Sequence, residues 1–593
     1  MKLKLLLFYV LIVFSKTILS QDLNEVHLDP PENITPSITE TIEQSTIHYG
    51  ATPQNYNGEV ILFTHGFSAL TQLYFSNNKF YEQAYNDGYQ VAFVSTTRGD
   101  GMWKNGEILA QSIDQICDKF KVKQLNIIAH SNGGKASEVA MYKYDKNDKV
   151  KRVFALGTPF WGTYVADISQ FWWFNWLWKH TGLNEGTATS TTYYCRDVIR
   201  PYFDNHPNND PEKFYIVGGS SFSRANALFY FSGSIVKIAQ GSNDGIAAYS
   251  STQRPNGNYL FSKDKLHLDH AEVAEGQKVW QHIQPILSGK APKFKSSEKK
   301  VANDFSIVKS NYQIFYSDNK YDELKLDKNN KRGLLTFFHK SDNKFAIKSS
   351  ENTRFKRLSR NKNVSSFNIY SENRKLSMST NSKYVGFLTQ SEGVNMIYKD
   401  DKISNKINIY FDREINNIQK TEINAIITKK SDITGKSTSE KTIVRALNYD
   451  KLKNKFYLDK SEFDKGVYTV HITAIHDDFK RNIISGFSVG NLKGYTSVNP
   501  KDLNNLNNSF KINLINKRVD NNLNFTVENI NNNNLNSSTS FKVFNLNGQE
   551  VVNRKLKITK SNFSVNINHL ASGMYILKIK NNKYLDNYKL LKQ

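Results

Sequence analysis

The sequence predicts an α/β domain followed by all-β sandwich modules, and three observations carry that expectation. Residues 58–288 alternate apolar runs with stretches of helical spacing. One junction in that region, Leu125–Gly134, sets a serine between a buried run and a helix. From Phe305 onward the apolar residues fall instead in short alternating runs bounded by turn residues, the pattern of sandwich strands.

The chain of 593 residues is too long for one core. Met1–Lys4 is basic, Leu5–Phe14 is almost wholly apolar, and small residues near Ser20 precede Gln21, so residues 1–20 read as a removable secretory signal peptide. No later stretch approaches the roughly 20 apolar residues of a membrane helix, and no Cys follows the cleavage point to carry a lipid. The mature chain is therefore expected outside the cytoplasm with no transmembrane segment. Its two cysteines, Cys117 and Cys195, are compatible with one disulfide or with two small buried side chains. A net charge of +24 raises the question of nucleic acid. The lysines are interleaved with asparagines and spread along the carboxy-terminal half, which is compositional bias rather than a basic patch, so no nucleic-acid partner is expected.

Residues 21–57 form a polar lead with Pro30, Pro31 and Pro36, read as irregular. Glu59–Thr64 is a strand that ends in His65-Gly66-Phe67, and Tyr89–Val94 is the next strand. Ala110–Phe120 has helical spacing and feeds Leu125-Asn-Ile-Ile-Ala-His-Ser131-Asn-Gly-Gly134. The small residues around Ser131 permit a sharp turn into the helical run Lys135–Tyr142, as in a nucleophile elbow, with Ala129 where the usual Gly-x-Ser-x-Gly pattern has its first Gly. Ser131 is the candidate nucleophile. The N–H groups of Phe67 and Asn132 are the candidate oxyanion donors, because both would follow strands that end beside it.

Val153–Leu156 is another buried run, followed by Gly157-Thr-Pro-Phe-Trp-Gly-Thr-Tyr-Val-Ala-Asp167. With that segment after the elbow strand, the chain resembles bacterial triacylglycerol lipases and esterases of the α/β-hydrolase superfamily. The resemblance covers about residues 58–284 and implies an α/β-hydrolase catalytic domain, a Ser-Asp-His chain order and a lid between the later strands. Phe171–Trp178 lies where the lid would be. Its aromatic rings, Trp172, Trp173 and Trp176 among them, are read as a substrate-facing cap, with packing onto the core as the alternative. Asn243-Asp244-Gly-Ile246 resembles the acid-bearing loop, and His270 in Asp269-His-Ala-Glu-Val273 the base, with His267 as the competing imidazole. The chemistry needs no cofactor. The resemblance implies at most a structural calcium near Asp269, and no metal ligands are otherwise expected.

A charged linker at 289–304 leads to a β-sandwich region at 305–491, one or two modules of which the second is immunoglobulin-like. A polar linker at 492–510 precedes residues 511–593. There, Phe541-Lys-Val-Phe-Asn-Leu-Asn-Gly548 and Leu570-Ala-Ser-Gly-Met-Tyr575 resemble the carboxy-terminal sorting domain read by the type IX secretion system. The expected partners are a lipid or polyester substrate and that secretion machinery, and the expected location is the medium or the cell surface. Three functions remain open on the sequence: a lipase or esterase acting on acylglycerols, a polyester depolymerase of the polyhydroxyalkanoate type with the same triad, and a surface-binding protein whose hydrolase domain is inactive.

Overall fold

The computed structural model describes residues 23–34, 44–67, 74, 78–171, 185–222, 227–260, 266–290, 304–318, 322–328, 330–339, 347–349, 353–360, 364–380, 383–390, 392–490, 492, 511–515, 518–528, 538–545, 550–557, 562–581 and 584–593. The signal segment 1–20 and the linker residues 291–303 and 493–510 lie outside them.

An eight-stranded sheet organises the amino-terminal part. Its strands are β1 (Asn24–His27), β2 (Thr46–Tyr49), β3 (Val60–Thr64), β4 (Gln90–Ser95), β5 (Leu125–His130), β6 (Val150–Leu156), β7 (Phe214–Val217) and β8 (Asn258–Tyr259), in the order β1-β2-β4-β3-β5-β6-β7-β8. From β4 to β8 every pairing is parallel. Parallel strands are covered by helices on both faces, which explains why β3 and β5 are buried along their whole length rather than alternately. Successive residues of β5 feed opposite cores. Ile127 and Ala129 pack with Ile108 and Ile113 of helix α1 (Met102–Phe120), whereas Ile128 packs with Val279, Trp280 and Ile283 of the later helix Gly276–Leu287.

The polar lead departs from its irregular reading. Two short strands from it close one edge of the sheet, β2 antiparallel to β4 and β1 parallel to β2. Ile47 and Tyr49 are buried there, and the Tyr49 hydroxyl donates to Glu25 Oε1 at 2.9 Å, so a few apolar contacts and one polar bond hold a strand that carries little periodic signal.

Residues 305–491 contain two sandwiches. The first pairs the five-stranded sheet of Tyr312–Asp318, Lys383–Thr389, Arg332–His339, Val364–Ser371 and Thr353–Arg360 with a three-stranded one. The second pairs a five-stranded sheet containing Met396–Asp401 and Lys406–Phe411 with the four-stranded sheet of Ser437–Ala446, Glu422–Ser431, Gly466–Ile475 and Lys480–Val489. The sandwiches do not stand apart from the α/β part as the linker at 289–304 suggested: contacts gather Met1–Gly494 into one compact unit. Trp161 stacks on Phe305 with ring centroids 4.5 Å apart, the hydroxyls of Tyr164 and Tyr312 are hydrogen-bonded, and Tyr193 Oη lies 2.7 Å from Thr469 Oγ1. Tyr495–Gln593 is a second unit with its own apolar core around Phe525, Phe541, Ile579 and Leu590. No described helix is long and apolar enough to cross a membrane.

Candidate active site

The site grows from the carboxyl ends of the central strands, where parallel sheets place their crevices. β5 ends at His130, and Ser131 then takes φ 53° and ψ −127° before helix α2 (Asn132–Glu138) begins. A positive φ is costly for a residue with a Cβ and is held here by the surrounding structure. Ser131 N–H donates to the Leu156 carbonyl at 2.8 Å, and its carbonyl accepts from Gly134 N–H at 3.1 Å. The neighbours must be small: a Cβ on Gly134 would stand 2.2 Å from Thr158 Oγ1, and one on Gly66 would stand 2.5 Å from Ser131 Cβ. Ala129 is tolerated because it lies within the extended strand, paired with Thr64 and Ala155, before the sharp turn.

The structure brings Asp244 and His270 to this serine. His270 Nε2 lies 3.0 Å from Ser131 Oγ, and His270 Nδ1 lies 2.8 Å from Asp244 Oδ2. Asp244 Oδ1 accepts from the N–H groups of Ile246 at 3.0 Å and Ala247 at 2.7 Å, which locks the carboxylate in its turn. Its carbonyl accepts from His270 N–H at 2.8 Å, tying the two loops together. With the Nδ1 proton given to Asp244, the Nε2 lone pair faces the serine hydroxyl. Exposure is 6% at Ser131, 5% at His270 and 0% at Asp244, so this chain of hydrogen bonds is shielded from competing water. His267 is exposed and stands beside Ser220, with Nδ1 3.5 Å from Ser220 Oγ.

Around these three residues lie others to which the sequence reading gave no part. His130 donates from Nε2 to the His270 carbonyl at 2.8 Å, and its ring lies 4.8 Å from that of His270. Burial, with the neighbouring His270, pushes its imidazole down to about 3, so it stays neutral and adds no repulsion to a charged base. His65 accepts from Thr96 N–H at Nε2, 3.1 Å away, which leaves its Nδ1 proton for the Gly66 carbonyl at 2.8 Å. That bond fixes the turn at Gly66, which lies close against Ser131 and precedes Phe67. Asn132 is the first helical residue after the turn, so its N–H has no intrahelical acceptor. Its side-chain Oδ1 accepts from Ser190 Oγ at 3.1 Å, and Ser190 Oγ in turn accepts from Lys135 Nζ at 3.0 Å. Lys135 is fully buried, and burial lowers its ammonium from the usual lysine range. Nothing in Gly-Gly-Lys-Ala marks that lysine as buried; a histidine immediately before the elbow serine was the one visible signal.

Trp172, Trp173 and Trp176 lie outside the described residues. Phe171, where that segment begins, is buried against His471 with ring centroids 4.6 Å apart. Asp167 is fully buried, accepts from Thr192 N–H at 2.7 Å, and is lifted by burial to about 7. Asp269 Oδ1 accepts from the N–H groups of Ala271 and Glu272, a capping role for the turn that delivers His270. Among the described residues no cluster of three or more His, Cys, Asp or Glu side chains is arranged to hold a metal ion. Cys117 and Cys195 are both buried and unbridged.

Comparison with known proteins bears on both ends of the chain. Residues 519–593 match the family described as secretion system C-terminal sorting domain, which agrees with the type IX resemblance. No curated protein matches the chain. Among solved structures, it is similar to a lipase of Bacillus licheniformis in propeptide form, at 20% identity and a TM-score of 0.56 over 76% of this chain and 98% of that one. It is also similar to the mature form of that lipase, at 26% identity and a TM-score of 0.39 over 41% of this chain and 99% of that one. A metagenomic carboxyl esterase follows at 15% identity and a TM-score of 0.31, over 40% of this chain and 76% of that one. The first likeness shows the fold alone: a parallel α/β layer followed by β modules. Its 76% share of this chain is more than the α/β layer alone supplies, so the sandwiches take part in the likeness.

Proposed function

We propose that the protein is a secreted serine hydrolase that cleaves carboxylic esters, with acylglycerols as substrate. The observation that carries this reading is the hydrogen-bonded line from Ser131 Oγ through His270 to Asp244, at 3.0 and 2.8 Å, mounted on a strained elbow. In this mechanism His270 Nε2 takes the Ser131 proton as Oγ attacks the ester carbonyl, and Asp244 stabilises the imidazolium. The N–H groups of Phe67 and Asn132 receive the oxyanion. Collapse expels the alcohol, which takes its proton from His270, and a water activated by the same imidazole releases the acid from the acyl-enzyme. The sorting domain at 519–593 supports export to the medium or the cell surface.

Ser131→Ala should abolish hydrolysis of both a short p-nitrophenyl ester and a triacylglycerol emulsion, by several orders of magnitude, while the protein stays folded. A fluorophosphonate should label Ser131 in the wild type. Label on a different serine, or retained turnover in the variant, overturns the assignment.

A further inference from the structure

The helix Ala227–Gln240 is in use on two faces. On one, the Phe229 ring stands edge-on to His270 at 6.0 Å and Ser232 Oγ donates to the Gly245 carbonyl in the acid-bearing loop. On the other, Tyr230, Ser234, Lys237 and Ile238, spaced as one helical face, turn to a cleft of about 990 Å³. The opposite wall is the five-stranded sheet of the first sandwich.

That wall is chemically two-sided. Its register sets Arg332 and Arg354 both opposite Tyr370, and Leu334 and Lys356 both opposite Asn368, so all of them share one face of the sheet. Arg332, Arg354 and Lys356, with Lys237 from the helix, bring four cations to the cleft, and among the described residues no carboxylate lines it. Glu372, in the loop after Tyr370, is engaged by Lys331 and by the Tyr370 hydroxyl. Phe222, Ile238, Leu334 and Phe387 line the same cleft. An open cavity of this size, lined by both apolar side chains and cations, is complementary to a ligand with an apolar body and an anionic end. Guanidinium forks match the planar geometry of a carboxylate.

We propose that this cleft binds a long-chain carboxylate, and that the helix Ala227–Gln240 separates the site where such an acid would be released from the site where it is held. The choice of a fatty carboxylate over other amphipathic anions rests on the ester-hydrolase reading; the cationic, apolar cleft does not.

The test is direct binding of oleate, below its aggregation concentration, to full-length Ser131→Ala protein by calorimetry. Saturable binding is expected, and charge reversal by Arg332→Glu with Arg354→Glu should weaken it tenfold or more, since it replaces attraction for the carboxylate by repulsion. Lys237→Glu, from the other wall, should weaken it too and serves if the double variant fails to fold. Oleyl alcohol should bind at least tenfold more weakly than oleate. Binding of oleate and oleyl alcohol alike, or no effect of any charge reversal, overturns the proposal. So does phosphatidylglycerol-vesicle binding that depends on these cations while oleate binding does not, because the ligand would then be a phosphate headgroup. Turnover of a short soluble ester by the wild type, measured separately, keeps the two readings apart: oleate binding without esterase activity sinks the proposed function alone.

Discussion

Exchanging Asp244 for Asn replaces one heavy atom and tests the whole electrostatic logic of the site. Oδ1 accepts from two backbone N–H groups, at 3.0 and 2.7 Å, whereas among the described residues Oδ2 is hydrogen-bonded to His270 Nδ1. An asparagine should therefore keep its oxygen on the two N–H groups and turn its amide nitrogen toward the imidazole. Nδ1 must then accept, and the ring proton moves to Nε2, where it points at Ser131 Oγ 3.0 Å away. A protonated Nε2 cannot take the serine proton. For triads in general this exchange costs about 10⁴-fold in kcat, or roughly 5.5 kcal/mol of transition-state stabilisation at about 1.36 kcal/mol per decade. The backbone bonds of the loop survive, so thermal stability should change little and KM for a short ester should hold within a few-fold. The assay is turnover of a p-nitrophenyl ester alongside the rate of fluorophosphonate labelling, both of which should fall together. Turnover within tenfold of wild type, in protein shown to be folded, would mean that Asp244 does not orient the base.

His270→Ala should remove turnover and fluorophosphonate reactivity, whereas His267→Ala should leave both within a few-fold; a larger loss at His267 reverses the assignment. Replacing Trp172, Trp173 and Trp176 with polar residues should depress hydrolysis of an emulsion at least tenfold more than hydrolysis of a soluble ester, and equal losses would make the segment part of the core. A chain stopped after Gly490 ends within the first compact unit and should keep its esterase activity when produced in a foreign host. In the native host the same truncation should leave the enzyme inside the cell envelope, and its normal appearance in the medium would refute the sorting role.

Much of the site was legible because its chemistry demands local patterns. An elbow needs an apolar strand, small residues and a helix in immediate succession, and Leu125–Tyr142 supplies them within one stretch. What stayed hidden depends on contacts across long separations. Arg196 Nη2 meets Asp400 Oδ2 at 2.7 Å, 204 residues away, and each reads in sequence as an ordinary surface charge. Lys135 likewise reads as the exposed side of a short helix until Thr189, Ser190 and Cys195 close over it. The lead strands escaped because four residues such as Thr46-Ile-His-Tyr49 are too few to show a period, and their burial comes from β4 rather than from their own composition.

The junction between the α/β layer and the second sandwich holds a buried cluster of charges. Arg196 contacts both Asp197, at 2.6 Å, and Asp400, at 2.7 Å, and Asp400 is also engaged by Lys460. Burial alone would raise the Asp197 carboxyl, and the Arg196 charge overrides that to hold it below the usual range. Stranding one charge of a buried pair costs about 3–5 kcal/mol. Lys402 of the sandwich also approaches Asp197, at 3.4 Å, so each carboxylate of the cluster, Asp197 and Asp400, meets a cation from the other side of the junction. The cluster therefore ties the two parts in register by ion pairs that cross the junction in both directions. The aromatic contacts, Trp161 on Phe305 and Phe171 on His471, and the Tyr164–Tyr312 and Tyr193–Thr469 hydroxyl pairs add to that attraction. The helix Ala227–Gln240 stands at the same junction, with Phe229 edge-on to His270 and Tyr230, Ser234, Lys237 and Ile238 turned to the sandwich cleft, so a displacement of this one element would alter both surroundings.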